Sequence, residues 1–585
     1  MTGKHAIMAM MGDGDSKALL EGYPDTDSWV ELMGRVGEPS RASKMYRMRL
    51  NGPAPDLLMS SPKSGHPANA QRGATILKGK WNFGGATLET PERHAPWGPP
   101  FPSLHFADRI HRFHWMRDLA AAGSSGEALS RALIVSWVDH FGRWDAFAWR
   151  LDVTADRVIN WMAAAPFAIT PLEQSARAAV LDSLARQLRH LHLAQDEPTT
   201  LHGAFRRAIA LVLAGACLPD GERYLEDGLK ALEAELASQL LADGGHVSRR
   251  PSRLAEMLID MHVAEDLLLR MGQSAPGFLT RAQSRMQNML KFLATPDGGC
   301  LVGHGGSDGL DGLVKAALSP FGEGGGRFAF AQLTGYHRIQ ADKLTVYIDT
   351  GEAPAASHGQ LCAASCLSVS LFDGPDRLIT QIGGNAELDA EWQFAVRRTA
   401  AQSTLQIGRE DSAVFKPAAD TGLMTPIGPD NVSARRLEES SQFLLEAQHG
   451  GWRAKYGLIH RRRLYINKDG KRMTGEDSLS RPLSENRTTA PEHVPFFIRF
   501  QLHPDVKIAP GPDERTLFLG LQKSGRVWRL RSEAPVSVIN SVYCASIPGR
   551  NAQQLVIKGK ADPMGDGGSA PNRIRWALSL VHTGE

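Results

Sequence analysis

The sequence predicts an α+β protein with more than one domain, in which an incomplete (α/α) toroid of helix pairs is followed by a large antiparallel β-sandwich. Apolar residues recur at spacings of three and four from about Leu104 to Leu293, which is the period of an amphipathic helix. After residue 327 the apolar period changes to two, which is the period of a half-buried strand. With 585 residues the chain is also too long for a single hydrophobic core.

Changes in composition predict where the domains begin and end. Residues 1–45 are polar and weakly patterned, so we expect a poorly ordered or loosely docked lead-in. Residues 46–320 are assigned to the helical toroid domain and residues 321–585 to the β-sandwich domain. The segment 296–327 contains eleven glycines and breaks the helical period, so it marks the boundary.

The helical domain is rich in tryptophan, with Trp115, Trp137, Trp144, Trp149 and Trp161 within about fifty residues. Tryptophans in this pattern are expected in the core. A groove in which flat aromatic faces stack on sugar rings remains an alternative. Helix hairpins joined by short loops over about 190 residues favour a curved or toroidal array of helix pairs.

The stretch Asp243–Met261 joins two strongly periodic helices. Gly244 and Gly245 are predicted to end the first helix, and Pro251 to begin the second. The connection carries His246, Ser248, Arg249 and Arg250, and a short loop has no evident packing need for an imidazole and two guanidiniums. We interpret these residues as candidates for function, with an ordinary solvated loop as the alternative.

The second domain is predicted to consist of many short strands separated by Gly, Pro and Asp turns. Antiparallel strands at such regular spacing are typical of a sandwich. The predicted strands lie at 344–349, 377–382, 403–407, 443–447, 463–467, 496–502, 516–521, 527–530, 554–558 and 574–578.

The residue composition limits the kinds of binding partner and the compartment that we expect. The net charge is +3 and the basic residues are scattered, so no nucleic-acid interface is expected. No apolar run approaches the roughly 18 residues needed to cross a bilayer, and no export signal is visible, so we expect a soluble protein with the cytoplasm as the default compartment. The five cysteines have no disulfide-framework spacing, and Cys362 and Cys366 are expected to be buried thiols.

Several stretches, taken together and in order, resemble the bacterial heparinase II/III-like proteins, a superfamily of polysaccharide lyases. The resemblance implies the same toroid and sandwich, with the substrate cleft between them, and leaves the cell envelope or periplasm open as the compartment. It covers the chain from about residue 70 to the end. The stretches are FHWMRDL (113–119), WRLDVTADRVINW (149–161), DGGHVSRRP (243–251), RRTAAQSTL (397–405), YGLIHRRRL (456–464), GED (475–477) and FQLHPDV (500–506).

The chemistry implied by the resemblance is β-elimination on an acidic, uronate-containing polysaccharide. A base removes the proton next to the carboxylate, a cation or amide neutralises that carboxylate, and an acid protonates the leaving oxygen. The implied catalytic residues are His246, Tyr336 and His358. The implied substrate-binding residues are Arg250, Arg398, Gln402, His460 and His304.

The sequence departs from the family pattern at several of these places. Ala363, Gln402 and Gln501 stand where such proteins usually carry histidine, and Arg250 stands where an amide is usual. A zinc ion occurs in some relatives, but its histidine and aspartate set is incomplete here, so no metal or other cofactor is expected.

We predict a lyase with a rearranged site, mainly because His246, His358, His460 and His503 remain. One alternative is a relative that binds acidic glycan without cleaving it. The other alternative is a glycoside hydrolase that uses Asp297 and Asp308. Structural alternatives also remain: Arg398 could be an ion-pair partner, and His460 could lie on an exposed edge strand protected by charge.

Overall fold

The computed structural model describes residues 44–97, 100–194, 197, 199–321, 328–353, 362–417, 424–429, 431–482, 493–563 and 571–584. The predicted lead-in lies almost wholly outside these residues, and the candidate base His358 lies outside them as well. The described chain is helical first and β-stranded second, as the change of period predicted.

The helical domain holds helices α1 to α12 and one small hairpin of strands β1 and β2. The helices are α1 (Lys44–Arg49), α2 (Ala70–Leu77), α3 (Leu104–His111), α4 (Met116–Ala121), α5 (Ser124–Phe141), α6 (Leu151–Ala168), α7 (Gln174–Leu193), α8 (Leu201–Cys217), α9 (Glu222–Gln239), α10 (Pro251–Arg270), α11 (Gly277–Leu293) and α12 (Leu313–Leu318). The hairpin strands are β1 (Lys80–Phe83) and β2 (Ala86–Glu89).

The β domain holds strands β3 to β21 and two short helices. The strands are β3 (Phe330–Ala331), β4 (Tyr336–Ala341), β5 (Leu344–Asp349), β6 (Val369–Asp373), β7 (Asp376–Thr380), β8 (Leu405–Ile407), β9 (Val414–Pro417), β10 (Met424–Ile427), β11 (Ser433–Glu438), β12 (Gln442–His449), β13 (Ile459–Asn467), β14 (Arg472–Ser480), β15 (Val494–Leu502), β16 (Val506–Pro510), β17 (Thr516–Leu521), β18 (Val527–Ser532), β19 (Val536–Tyr543), β20 (Arg550–Ala561) and β21 (Arg573–His582). The helices are α13 (Ala390–Ala395) and α14 (Arg453–Tyr456).

Two large antiparallel sheets make up the β domain. One has the order β11-β12-β13-β14-β21-β18-β17-β16, and the other has the order β19-β20-β15-β7-β6-β5-β4-β3, with β8 also paired to β15. Side chains of both sheets, such as Val346 from one and Trp528 from the other, join a single buried apolar cluster. This is the sandwich that the alternating pattern predicted.

The helical domain has its own apolar core, and the tryptophans belong to it. Trp115, Trp137, Trp149 and Trp161 are each at most 1% exposed. The core interpretation is therefore confirmed for these four rings, which cannot stack on sugars in a groove. Trp144 is partly buried and packs against the same core. The same core buries α8, which packs against α6, α9 and α10.

Residues at the N-termini of α8 and α10 explain where these two helices begin. The Thr200 hydroxyl accepts a hydrogen bond from the Gly203 N–H and caps α8. Pro251 occupies the first turn of α10, where it needs no N–H donor. The prediction for the preceding helix was wrong, since α9 ends at Gln239, and Gly244 takes its positive φ of 92° in the following turn.

The two domains are joined by buried polar contacts. Arg377 of β7 pairs with Asp297 at 3.0 Å, and both side chains are almost fully buried. The Tyr347 hydroxyl donates to the backbone oxygen of Ala294 at 2.8 Å. The seam between the domains is therefore packed and hydrogen-bonded.

Two predictions from composition can be compared with the fold. None of the described helices has both the length and the apolar composition needed to span a bilayer. All five cysteines are buried as free thiols, and burial raises the pKa of Cys362 to about 12. The prediction that Cys362 and Cys366 are buried thiols is confirmed.

Candidate functional site

The loop between α9 and α10 forms a buried bridge rather than a solvated connection. Leu240 and His246 form an isolated antiparallel bridge, and His246 is 4% exposed. Its Nε2 donates to Gln239 Oε1 at 3.1 Å, while its Nδ1 accepts from the Ser248 N–H at 3.1 Å. The imidazole therefore has a packing role that the sequence did not reveal.

Arg249, which follows in the same loop, inserts into the β domain. It forms a buried ion pair with Asp349 of β5, and its Nε donates to the Thr334 oxygen at 2.7 Å. The Tyr336 hydroxyl donates back to the Arg249 carbonyl at 3.1 Å. This guanidinium, which the sequence indicated as a candidate functional residue, instead holds the α9–α10 loop against the β domain.

Tyr336 is shielded from solvent. It is 2% exposed, and burial together with the nearby Asp349 carboxylate raises its pKa well above the usual value for tyrosine. A tyrosine acts as a base only as phenolate. The neutral hydroxyl that this environment favours is a hydrogen-bond donor instead.

His304 and Arg250 meet at the same seam. Arg250 is half-buried and donates from Nε and Nη2 to the His304 carbonyl at 3.2 and 3.0 Å. The His304 imidazole accepts from the Ala363 N–H at 3.0 Å, and burial followed by the Arg249 charge lowers its pKa to about 3. The structure thus brings His246, Arg250, His304 and Tyr336 together.

Gln402 also lines this region from the β side. Its amide nitrogen donates to the carbonyls of Val396 and Arg398 at 2.8 and 3.1 Å. With Tyr336, Asp349 and other polar residues it encloses an internal cavity of about 10 Å³, room for one water molecule. An acidic polysaccharide does not fit in this cavity.

Arg398 and His460 lie elsewhere. Arg398 pairs with Asp411 at 2.9 Å, as the structural alternative proposed. His460 is fully buried on β13, between β12 and β14, with its Nε2 2.8 Å from Asp477 Oδ1. The alternative that His460 lies on an exposed edge strand is therefore wrong.

A second group of charged side chains lies inside the helical domain. Asp156 of α6 is fully buried and accepts from Arg112 Nη1 and from Arg206 Nε, each at 2.6 Å. Arg206 Nη1 reaches Asp260 of α10 at 2.5 Å, and His66 Nε2 lies 2.8 Å from the same carboxylate. These ion pairs link α6, α8 and α10 across the middle of the domain.

Two comparisons of sequence place this chain among known proteins. Residues 323–577 match the family described as "Heparinase II/III-like, C-terminal". FtsZ-localized protein C from Caulobacter vibrioides (strain NA1000 / CB15N) is 31% identical over 566 residues, which cover 94% of this chain and 95% of that protein. The chain belongs to the heparinase II/III-like family.

Solved structures agree with this membership at the level of the fold. The crystal structure of heparinase III matches with a TM-score of 0.66 at 13% identity, covering 100% of this chain and 94% of that one. A mutant of the heparan sulfate lyase HepC from Pedobacter heparinus matches with a TM-score of 0.55 at 14% identity, again covering 100% and 94%. The toroid and sandwich of the heparinase II/III-like family are therefore the fold of this protein.

The zinc ion found in some family members does not fit the residues present here. Within the described ranges, no three or more His, Cys, Asp or Glu side chains are grouped so that they could hold a metal ion. Gln402 and Gln501 occupy two of the expected histidine places, and their amide nitrogens are hydrogen-bonded to backbone oxygens. Zinc is bound by thiolate, imidazole and carboxylate groups, so we derive no step through a metal.

Asp297 and Asp308, the two carboxylates that a glycoside hydrolase would use, are both held by contacts within the protein. Asp297 is paired with Arg377, and Asp308 accepts from the Tyr543 hydroxyl at 2.9 Å and from the Leu310 N–H at 3.1 Å. Asp308 is 4% exposed. Two buried carboxylates that already hold protein donors cannot act on a sugar, so the structure does not support a hydrolase at this place.

The sequence reasoning missed the charged residues inside the helical domain. A signal was available, because Asp152, Asp156 and Asn160 are spaced by four in a largely apolar helix. His202 and Arg206 show the same spacing on α8. Polar residues in one line on buried helices indicate an internal polar site, and these lines face one another.

Proposed function

We propose that the protein binds an acidic polysaccharide in the groove between the helical and β domains, and that it does not cleave this ligand efficiently. The observation that carries the proposal is the contrast between Arg250 and Tyr336. Arg250 is partly exposed, whereas the Tyr336 hydroxyl is buried and donates to a backbone carbonyl.

Proton abstraction is the demanding step of β-elimination, because the base must reach the proton in the correct protonation state. His246 uses both ring nitrogens in buried contacts, and His304 accepts from a backbone N–H. Tyr336 is held as a neutral donor. None of these three groups offers a free basic atom to a sugar, which argues against turnover through them.

Neutralising the uronate carboxylate requires a positive charge but no group that takes up a proton. A guanidinium stays protonated in nearly every environment and binds a carboxylate through parallel N–H donors. Arg250 and Arg253 lie three residues apart at the start of α10, so their side chains project from neighbouring positions of one helix end. This arrangement suits the binding of a uronate carboxylate, but it provides no group that could act as the base.

A panel of heparan sulfate, alginate and related acidic glycans tests the proposal. We expect binding by calorimetry, without growth of the ultraviolet absorbance of an unsaturated product. Arg250→Ala is expected to weaken binding about tenfold, or about 1.4 kcal/mol. Arg223→Ala, on the exposed face of α9, is the matched control and is expected to bind as the unchanged protein does.

Other outcomes of these glycan assays would support a different function. Absorbance growth that Tyr336→Phe abolishes would establish a lyase and overturn the proposal. New reducing ends without absorbance would indicate a hydrolase. Equal affinity in Arg250→Ala and Arg223→Ala would remove Arg250 from the binding site.

A second candidate function follows from the Caulobacter relative, whose name places that protein with FtsZ. The observation in its favour is identity of 31% that extends over nearly the whole of both chains. We propose that this protein also localises with FtsZ. A fluorescent fusion should follow labelled FtsZ in dividing cells of the native host, and a fusion spread evenly through dividing cells would exclude this role.

A further inference from the structure

Three side-chain nitrogen atoms inside the helical domain have unmet hydrogen-bonding capacity. Nε of Arg117, Nη2 of Arg253 and Nδ1 of His202 are buried and have no hydrogen-bond partner in the described part of the chain. A buried polar atom without a partner costs free energy, and native proteins rarely leave one unexplained. The two guanidinium nitrogens can only donate, and the imidazole nitrogen donates once its ring is protonated, so these atoms indicate that something outside the chain accepts from them.

The groups are neighbours around Asp156. His114 Nε2 lies 3.6 Å, and His202 Nε2 3.8 Å, from the same Asp156 oxygen. The Arg117 charge lowers the pKa of His114, and the Arg253 charge lowers that of His202. His114 and His202 keep 28% and 35% of their side chains exposed, so the region is open to solvent.

The carboxylates of this region are already engaged. Asp156 and Asp260 share the Arg206 guanidinium, and Glu256 accepts from Arg253 Nη1 at 3.1 Å. Among the residues that the structure describes, no carboxylate oxygen lies within ion-pair distance of Arg117. Arg117 Nε and Arg253 Nη2 therefore remain buried donors without an acceptor in the described part of the chain.

We propose that His114, Arg117, His202 and Arg253 form a subsite for a tetrahedral oxyanion, the phosphate or sulfate group of an acidic ligand. The proposal deepens the proposed function and rests on it, because Arg253 lies one turn along α10 from Arg250. Charge-assisted hydrogen bonds from guanidinium and imidazole are the usual means of holding such groups.

The geometry of the donors favours a tetrahedral anion over a carboxylate. His114 comes from the α3–α4 connection, Arg117 from α4, His202 from α8 and Arg253 from α10. The four side chains thus come from three parts of the chain, since His114 and Arg117 lie only three residues apart. A phosphate or sulfate monoester has three terminal oxygens in a pyramid, whereas a carboxylate has two oxygens in one plane.

Binding in this subsite should also take up protons. Burial among cations lowers the pKa of His114 to about 3 and lowers that of His202, so both imidazoles are neutral at pH 7. An anion beside an imidazole favours its charged form. The groups whose charges act on these two imidazoles are Arg109, Arg117, Arg206, Arg253 and Asp156, and Glu256 and His66 complete the surroundings.

The test uses the full chain and two inorganic probes, phosphate and sulfate, each titrated alone by calorimetry at pH 7. Repeating each titration in two buffers with different ionisation enthalpies measures the protons taken up. We expect binding with net proton uptake. Arg253→Gln and His202→Gln should each weaken it at least tenfold, and His202→Gln should also reduce the proton uptake.

Arg285→Gln, exposed on α11, is the matched control and should bind both probes unchanged. If circular dichroism shows that a variant has not folded, Arg117→Gln replaces it with the same expected loss. The proposal is overturned if the unchanged protein binds neither probe, or if the folded variants bind as Arg285→Gln does. Preference for one probe identifies a phosphorylated or a sulfated ligand.

Failure of the subsite can be told apart from failure of the glycan proposal. Alginate carries carboxylates and no sulfate, so it reports on Arg250 and the groove alone. Alginate binding without binding of either inorganic probe would overturn the subsite only. Phosphate or sulfate binding without binding of any glycan would overturn the proposed function only.

Discussion

Asp156→Asn is expected to lower the free energy of unfolding by about 3 kcal/mol, because it removes the negative charge from two buried hydrogen bonds and leaves Arg112 and Arg206 with only their other carboxylate partners. Asp156 is fully buried and holds both Arg112 and Arg206 at 2.6 Å. The amide has nearly the same shape but carries no charge. The midpoint of urea unfolding, followed by the fluorescence of the buried tryptophans of the helical domain, measures the change.

Asp182→Asn provides the matched control, since it makes the same chemical change in an exposed pair. Asp182 pairs with Arg186 at 2.8 Å on α7, with 40% of the Asp182 side chain exposed. Exposed pairs of this kind contribute about 0.5 kcal/mol or less. If both variants unfold at the same urea concentration, the buried ion pairs do not hold the helical domain together.

Lowering the pH from 7 to 5 is expected to cost about 2 kcal/mol of stability for each deeply buried neutral histidine. Burial, followed by the Arg157 charge, lowers the pKa of His111 to about 3, and burial, followed by the Arg436 charge, lowers that of His337 to about 4. An unfolded histidine takes up a proton near pH 6.5. Below that pH the unfolded chain binds more protons, so stability falls until the folded imidazoles also titrate, near pH 3 to 4.

His337→Phe isolates one such contribution. The His337 ring stacks on Phe330 with centroids 3.9 Å apart, and within the described chain neither of its ring nitrogens has a hydrogen-bond partner. Phenylalanine therefore keeps the stacking and removes only the proton site. The difference in unfolding free energy between pH 7 and pH 5 should shrink by about 2 kcal/mol.

The control for this measurement is His140→Gln, at an exposed position near the end of α5. It should leave the difference between pH 7 and pH 5 as it is in the unchanged protein. Equal differences in His337→Phe and in the unchanged protein would show that folding does not lower the pKa of His337.

The architecture could be predicted because it depends on period alone. Apolar residues at Leu225, Leu229, Leu232 and Leu236 define one face of α9, and the alternation from Phe496 to Leu502 lies within β15. Such patterns report burial against one side of an element. The patterns do not show which other element covers the apolar side. The contact with that element also decides where a helix or strand ends, and for this reason the end of α9 was predicted too late.

The site was harder to predict because the same residue type serves in two roles. His246 and Tyr336 matched the chemistry of a lyase, yet their atoms are used to join the α9–α10 loop to its surroundings. Asp156 and His202 looked like ordinary helix residues, because a charge on a helix is usually a solvated one. Only the closing of the helices around a common centre shows which charges face inward.

The insertion of Arg249 fixes the position of the α9–α10 loop against the β domain. Its guanidinium is bonded to the carbonyls of Thr334 and Gly335 and to the carboxylate of Asp349, all in or beside the strands of the β domain. Moving the two domains apart at this place would break a buried ion pair, which is costly. The two domains are therefore expected to keep their relative position, so that a ligand has to fit the surface that they already present together.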